Sequence, residues 1–131
     1  MLVFLSHAGA DTWVARQLEA HIKAVGADTF LDEANIGIGE RFPEVVREQL
    51  DRADELLVLL TPWSLQRQWI WVEIGAAFQR DIPIIVALHG LSPEDLRQNT
   101  AVPIFLLERN IVELNEINRY FEELRTRVGG T

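Results

Sequence analysis

A chain of 131 residues fits a single domain at roughly 100 to 200 residues per domain, long enough to bury one sizeable core. Twelve Lys and Arg against 20 Asp and Glu leave a net charge of −8. No basic stripe is therefore available for nucleic-acid phosphates or anionic lipid headgroups, and neither partner is expected. The absence of cysteine excludes disulfide frameworks and thiolate zinc sites and is consistent with a reducing, cytoplasmic setting.

The chain opens directly on the apolar run Leu2-Val3-Phe4-Leu5, with no basic leader region and too few apolar residues to span a bilayer, so neither a signal peptide nor a membrane span is expected. A helix over about 10–25 follows. Asp11 is its expected cap, Val14, Leu18, Ile22 and Val25 its apolar face, and Gly26 its stop. Residues 28–31 read as a second strand, and 42–51 as a short amphipathic helix with Phe42, Val45, Val46 and Leu50 on one face and Glu44, Arg47 and Glu48 on the other. A third strand at 56–60 is broken by Thr61-Pro62, after which a helix starting at Leu65 or Trp69 runs to Arg80. The fourth strand covers 84–88. Ser92-Pro93-Glu94-Asp95 reads as a cap, a proline at the first helical position and an acidic first turn, predicting a helical turn over 93–98. Pro103 argues against a central strand at 102–106, so the fifth strand is placed at 110–114, with Asn115 capping a last helix to about Arg127. Residues 1–127 form the expected domain, and 128–131 a flexible tail that could begin a linker.

Continuous apolar runs alternating with helical segments define an α/β domain: a central five-stranded parallel sheet, flavodoxin-like, in three layers with helices on both faces. Ligands of such sheets bind outside the carboxyl ends of the strands, here the loops 6–10, 32–41, 61–68 and 89–101. Common tenants of this architecture fail on their loops. Ser6-His7-Ala8-Gly9-Ala10-Asp11 has one glycine where a dinucleotide turn needs three, and the only lysine, Lys23, lies inside a helix and cannot serve a phosphate loop. A phosphoryl-receiver domain would need an acceptor Asp ending the third strand, where Leu60-Thr61 stand. His7, His21 and His89 have no metal-ligand spacing, and no metal is expected.

Trp69 and Glu73 are four apart on the third long helix and so share a face. Glutamates on helices are mostly solvated, but Glu73 is bracketed by Ile70, Trp71, Val72, Ile74, Gly75, Ala76, Ala77 and Phe78, with no charged neighbour beside it.

These segments together resemble a Toll/interleukin-1 receptor (TIR) domain, particularly of the bacterial kind: Val3-Phe4-Leu5-Ser6-His7-Ala8, then Phe30-Leu31-Asp32 with Gly39 in its loop, Leu57-Val58-Leu59-Leu60-Thr61-Pro62, Ser64, and Trp69-x-x-x-Glu73-Ile74-Gly75. The resemblance covers nearly the whole chain in order. It implies cleavage of the nicotinamide–ribose bond of NAD+, with NAD+ as substrate, no separate cofactor, and Glu73 in the position of the catalytic glutamate. Glycoside cleavage ordinarily takes two carboxylates, one protonating the leaving group. Nicotinamide leaves a pyridinium as a neutral molecule, so one carboxylate suffices. The resemblance places Ser6, His7, Ala8, Asp32, Ser64 and Trp69 around the substrate. Ser64 fits a helix cap equally well, Asp32 could serve only its loop, and Ser6 and His7 only the backbone of the strand end.

The loop 32–41 carries two glycines, Gly37 and Gly39, and two aliphatics, Ile36 and Ile38, near its tip. Apolar loop tips suit a partner surface, although folding back onto the domain's own core is the competing reading. By resemblance this loop contacts other TIR protomers, with activity rising on self-assembly, and relatives are often fused to a sensor domain in antiphage immune signalling. Two readings of other classes stay open: a non-catalytic TIR interaction module, and ribosyl transfer on free nucleosides.

Overall fold

The computed structural model describes residues 1–31, 44–100, 102–108 and 110–129. Five strands, β1 (Leu2–Ser6), β2 (Asp28–Leu31), β3 (Glu55–Leu60), β4 (Ile84–Leu88) and β5 (Asn110–Glu113), form one sheet in the order β2-β1-β3-β4-β5. Every pairing is parallel, as registers such as Phe4 with Leu56 and Leu57 with Ile85 show. Helices α1 (Thr12–Ala24), α2 (Glu44–Arg52), α3 (Gln68–Gln79), α4 (Pro93–Gln98) and α5 (Asn118–Gly129) cover the two faces. This is the expected three-layer, flavodoxin-like α/β architecture.

Successive side chains of a strand point to opposite faces, and this alternation sorts the core into two clusters. Phe4, Leu56, Val58, Leu60, Val86 and Leu88 face the layer supplied by α2, α3 and α4 through Val46, Leu50, Ile70, Ile74, Ala77 and Leu96. Val3, Leu5, Leu57, Leu59, Ile85 and Ala87 face Ala15, Leu18 and Ile22 of α1 and Tyr120, Phe121 and Leu124 of α5. All six residues of central β3 are buried, whereas edge strands β2 and β5 are only partly covered. The apolar runs are continuous because the inner strands are covered on both sides.

Several local expectations change on contact with the fold. Asp11 precedes α1 but makes no side-chain cap; a 3-10 turn over Gly9–Asp11 leads into the helix, and the carboxylate turns inward to the Thr61 hydroxyl. Val45, expected on the apolar face of the second helix, is 53% exposed, because α2 is rotated so that only Val46 and Leu50 meet the core. Phe42 lies outside the described residues. Asn115 does not cap α5, since a 3-10 turn over Leu114–Glu116 intervenes and the helix begins at Asn118. That helix continues to Gly129, with Val128 packed against the core, so 128 and 129 of the expected tail are helical, and 130–131 lie outside the described residues. Residues Ile104–Glu108 form a 3-10 turn, in keeping with the argument from Pro103 against a central strand there.

Other signals act as read. Gly26 ends α1 with φ 99°, a left-handed conformation cheap only for glycine, and Ala27 donates back to the Ile22 carbonyl. Ser92 and Asp95 form a reciprocal capping box on α4, with Pro93 at its first turn. The carbonyl end of α2 is met by Arg80, whose Nη1 donates to Leu50 O at 2.6 Å and Ala53 O at 2.8 Å. A cation thereby satisfies carbonyls that a helix end leaves orphaned.

Candidate functional site

The site is built where β1 and β3 end and α3 begins. Because α3 follows β3, its first turns lie over the carboxyl edge of the sheet. Its buried residues are Ile70, Glu73, Ile74 and Ala77, the i, i+3, i+4, i+7 stripe of a helix packed on a sheet. Glu73 therefore lies on the inner face of α3 and is 0% exposed. Ser6 shares the α3 side of β1 with Phe4 and is fully buried too. Its hydroxyl donates to Glu73 Oε1.

The same carboxylate oxygen has a second neighbour. Arg67, the residue before α3, places Nη1 3.6 Å from Glu73 Oε1 and donates from it to the His7 carbonyl at 2.6 Å. Burying a carboxylate costs several kcal/mol unless hydrogen bonds and an opposite charge accompany it. Ser6 and Arg67 supply both.

His7 is buried at the end of β1, with Nε2 3.5 Å from Thr12 Oγ1, while Thr12 itself donates to Gly9 O at 2.8 Å. Ala8 is buried beside it and starts the turn into α1, its carbonyl accepting from Asp11 N. Trp69 is half-buried one helical turn before Glu73. Thus Ser6, His7, Ala8, Trp69 and Glu73 do converge on one edge of the sheet.

Ser64 lies in the third loop, and its hydroxyl is engaged locally: it accepts from Thr61 N at 2.7 Å and donates to Thr61 O at 3.1 Å. Ser64 N in turn donates to Thr61 Oγ1, whose own proton goes to Asp11 Oδ2 at 2.6 Å. Ser64 is not a helix cap; it opens a 3-10 turn whose preceding residue is Trp63. The Asp11–Thr61–Ser64 clasp fixes the first and third loops to each other. Asp32, together with Ile36, Gly37, Ile38 and Gly39 of the assembly loop, lies outside the described residues.

Three participants escaped the sequence reading. Arg67 carried a usable signal, as the last cation before the helix bearing Glu73. Asp11 was read as a cap, and Thr61 as part of the break after the third strand. A further buried cluster sits at the opposite, amino end of β3, where Glu55 accepts from Tyr120 Oη at 2.7 Å and from Arg127 Nε at 3.0 Å and Nη2 at 3.1 Å. Burial and the Glu55 charge push the Tyr120 hydroxyl far above its ordinary range. Burial works against the Arg127 charge, but hydrogen bonding and attraction from Glu55 outweigh it and leave the guanidinium's pKa raised. The cluster ties α5 to the sheet, away from the loop edge.

Among the described residues no group of His, Cys, Asp or Glu is arranged to hold a metal, and no helix is long and apolar enough to cross a membrane. His21 is exposed and stacks on Phe121 at 5.1 Å. His89 lines a shallow cleft beyond β4 and β5 with Ser92, Glu113 and Asn115.

The strand order defines a doubly wound α/β domain, with a buried carboxylate over the carboxyl edge of its sheet. The TIR domain family matches residues 3–123, and the chain belongs to that family. Solved structures agree in fold. The TIR domain of the Toll-related receptor TRR-2 from Hydra magnipapillata aligns with a TM-score of 0.66 at 18% identity, covering 95% of this chain and 94% of that one. The TIR domains of the activated Roq1 resistosome, which directly recognises the pathogen effector XopQ, align at 0.61 and 18% identity over 98% and 83%. A TIR-STING receptor from C. gigas, solved with 2',3'-cGAMP, aligns at 0.65 and 22% identity; 96% of this chain matches 38% of that one. No curated protein matches the chain.

Proposed function

We propose that this TIR domain cleaves NAD+ at the nicotinamide–ribose bond and that Glu73 is its catalytic carboxylate. The observation that carries the reading is the placement of Glu73: a fully buried carboxylate on the inner face of α3, at the carboxyl edge of a parallel sheet, opposite Ser6. The TIR family includes NAD+-cleaving members. In the reaction the C1′–N bond breaks and its electron pair passes to the pyridinium nitrogen, so nicotinamide departs neutral. The ribosyl centre gains positive charge. A carboxylate held in a low-dielectric site stabilises that charge strongly. Ser6 fixes the orientation of the carboxylate, and Trp69 offers an aromatic wall for ribose or nicotinamide. Water then adds its oxygen to C1′ and releases a proton, giving ADP-ribose; capture by an adenine nitrogen instead gives a cyclic product.

On this reading the protein acts in the cytoplasm as an effector of immune or antiphage signalling, with no resident cofactor. Other TIR protomers activate it, and Ile36, Gly37, Ile38 and Gly39 contact the neighbour. Ser64 shapes the third loop around the substrate, His7 lies at the same edge, and Asp32 is assigned to substrate binding by the TIR resemblance. The competing reading, a non-catalytic TIR interaction module, draws on the enclosure of Glu73, since a carboxylate already bonded to Ser6 and Arg67 also suits a purely structural role.

Nicotinamide release from NAD+ by concentrated or tethered protein separates the two. Release that disappears in E73Q while the fold persists supports the enzyme. Absence of release under enforced association leaves the interaction module.

A further inference from the structure

We propose that Arg67 is a displaceable latch on Glu73: in the resting domain its guanidinium occupies the carboxylate that the cationic end of the substrate must reach. This inference rests on the reading of Glu73 as the catalytic carboxylate.

The geometry has three parts. Arg67 Nη1 stands 3.6 Å from Glu73 Oε1, an ion-pair distance longer than a hydrogen bond, while the same nitrogen is held at 2.6 Å by the His7 carbonyl. The guanidinium is thus held by the His7 carbonyl and by the carboxylate together, and a second cation arriving at Glu73 replaces the charge that its departure removes. Arg67 also precedes the first turn of α3 with extended backbone (φ −89°, ψ 110°), at the cap position, where its carbonyl accepts from Ile70 N. Its side chain keeps 18% of its surface exposed while that of Glu73 has none, so the arginine has a route toward solvent.

Charge makes the two occupants exclusive. The nicotinamide ring of NAD+ carries a positive charge, and that charge passes toward C1′ as the bond breaks. A guanidinium on the same carboxylate oxygen repels the arriving ring and neutralises the group meant to stabilise the ribosyl cation. Substrate binding therefore selects the fraction of molecules with Arg67 turned away, and apparent affinity falls in proportion to that fraction. A latch closed in roughly nine molecules of ten weakens apparent affinity about tenfold. Contacts that draw Arg67 outward, such as those of a neighbouring protomer, would open it.

The test compares wild type, R67Q and R67K for nicotinamide release across NAD+ concentrations, both dilute and tethered, with circular dichroism to verify folding. The latch predicts a KM in dilute R67Q lower by roughly three- to tenfold with a smaller change in kcat, a smaller gain on tethering, and R67K closer to wild type. An unchanged or raised KM in folded R67Q overturns it. A second readout needs no turnover: the guanidinium NMR signal of Arg67, with 1-methylnicotinamide as a pyridinium probe lacking the scissile bond. The latch requires that this signal be protected in wild type and lose protection on adding the probe, and that the probe have no such effect in E73Q; a wild-type signal insensitive to the probe, or an equal response in E73Q, overturns it. Wild type that never releases nicotinamide, yet whose Arg67 yields to the probe, refutes the enzymatic reading and leaves the competition for Glu73 standing.

Discussion

Ser6 at the end of β1 donates its hydroxyl hydrogen to Glu73 on α3, joining residues 67 positions apart across the interface of sheet and helix. Both are fully buried, so the bond orients the carboxylate and also meets part of the cost of enclosing it. Replacing Ser6 with alanine is expected to destabilise the fold by about 1.5 to 3 kcal/mol, the range for hydrogen bonds to charged groups, read as a lower urea midpoint at unchanged slope. Nicotinamide release should fall in the same variant even at temperatures where it remains folded.

Glu73→Gln and Glu73→Ala separate chemistry from packing. The glutamine keeps an oxygen for the Ser6 hydroxyl and nearly the same volume, so E73Q should retain a cooperative thermal transition while losing nicotinamide release. E73A should be less stable than E73Q by about 1 to 2 kcal/mol, because packing atoms are lost and Ser6 is orphaned. Calorimetry beside the activity assay checks both halves.

The Asp11–Thr61 hydrogen bond of 2.6 Å holds the start of α1 to the end of β3. Thr61→Val removes the donor while preserving shape, and Asp11→Ala removes the acceptor. A double-mutant cycle in urea should return a coupling of about 1 to 3 kcal/mol, since the pair is buried and charge-assisted. A coupling near zero would mean that the two loops are positioned independently.

Tyr120 is the only tyrosine in the chain, which makes its ionisation directly visible in the ultraviolet. Burial and Glu55 raise its folded pKa above the unfolded value of 10.0. The sign follows from proton binding: above pH 10 the unfolded chain loses the phenolic proton while the folded chain keeps it. The stabilisation is therefore complete below pH 10 and is lost as pH rises beyond it, by up to about 1.4 kcal/mol per pH unit. Denaturation series from pH 9 to 11 should show this decline in wild type and lack this component in Tyr120→Phe. The phenolate band should appear only with unfolding.

Much of the fold was legible because its signals are local. Short apolar runs bounded by Gly, Pro and Asp mark strands buried on both faces, and helical spacing marks the layers that cover them. The bracket of apolar residues around Glu73 likewise showed in advance that this carboxylate is not on a solvated face. Signals that depend on rotation by a single residue failed: Val45 and Val46 are equally apolar, and only the seating of α2 on the sheet decides which is buried. Asp11 and Asn115 had the right chemistry to cap helices, but Asp11, at the cap position of α1, turns its carboxylate to Thr61, and an inserted 3-10 turn moves the start of α5 past Asn115.

By itself, then, the sequence determined the class of architecture and marked a carboxylate bracketed by apolar residues near the carboxyl edge of the sheet. Tertiary structure alone decided the partners of that carboxylate. Arg67 meets His7 and Glu73 because β1 lies beside β3 and α3 folds back over both, and Glu55 meets Tyr120 and Arg127 because α5 returns to the start of the central strand. Periodicity encodes which way a residue points within its own element. Which charge it then meets depends on the order of the strands and the face each helix covers, and a one-dimensional pattern carries no direct record of either.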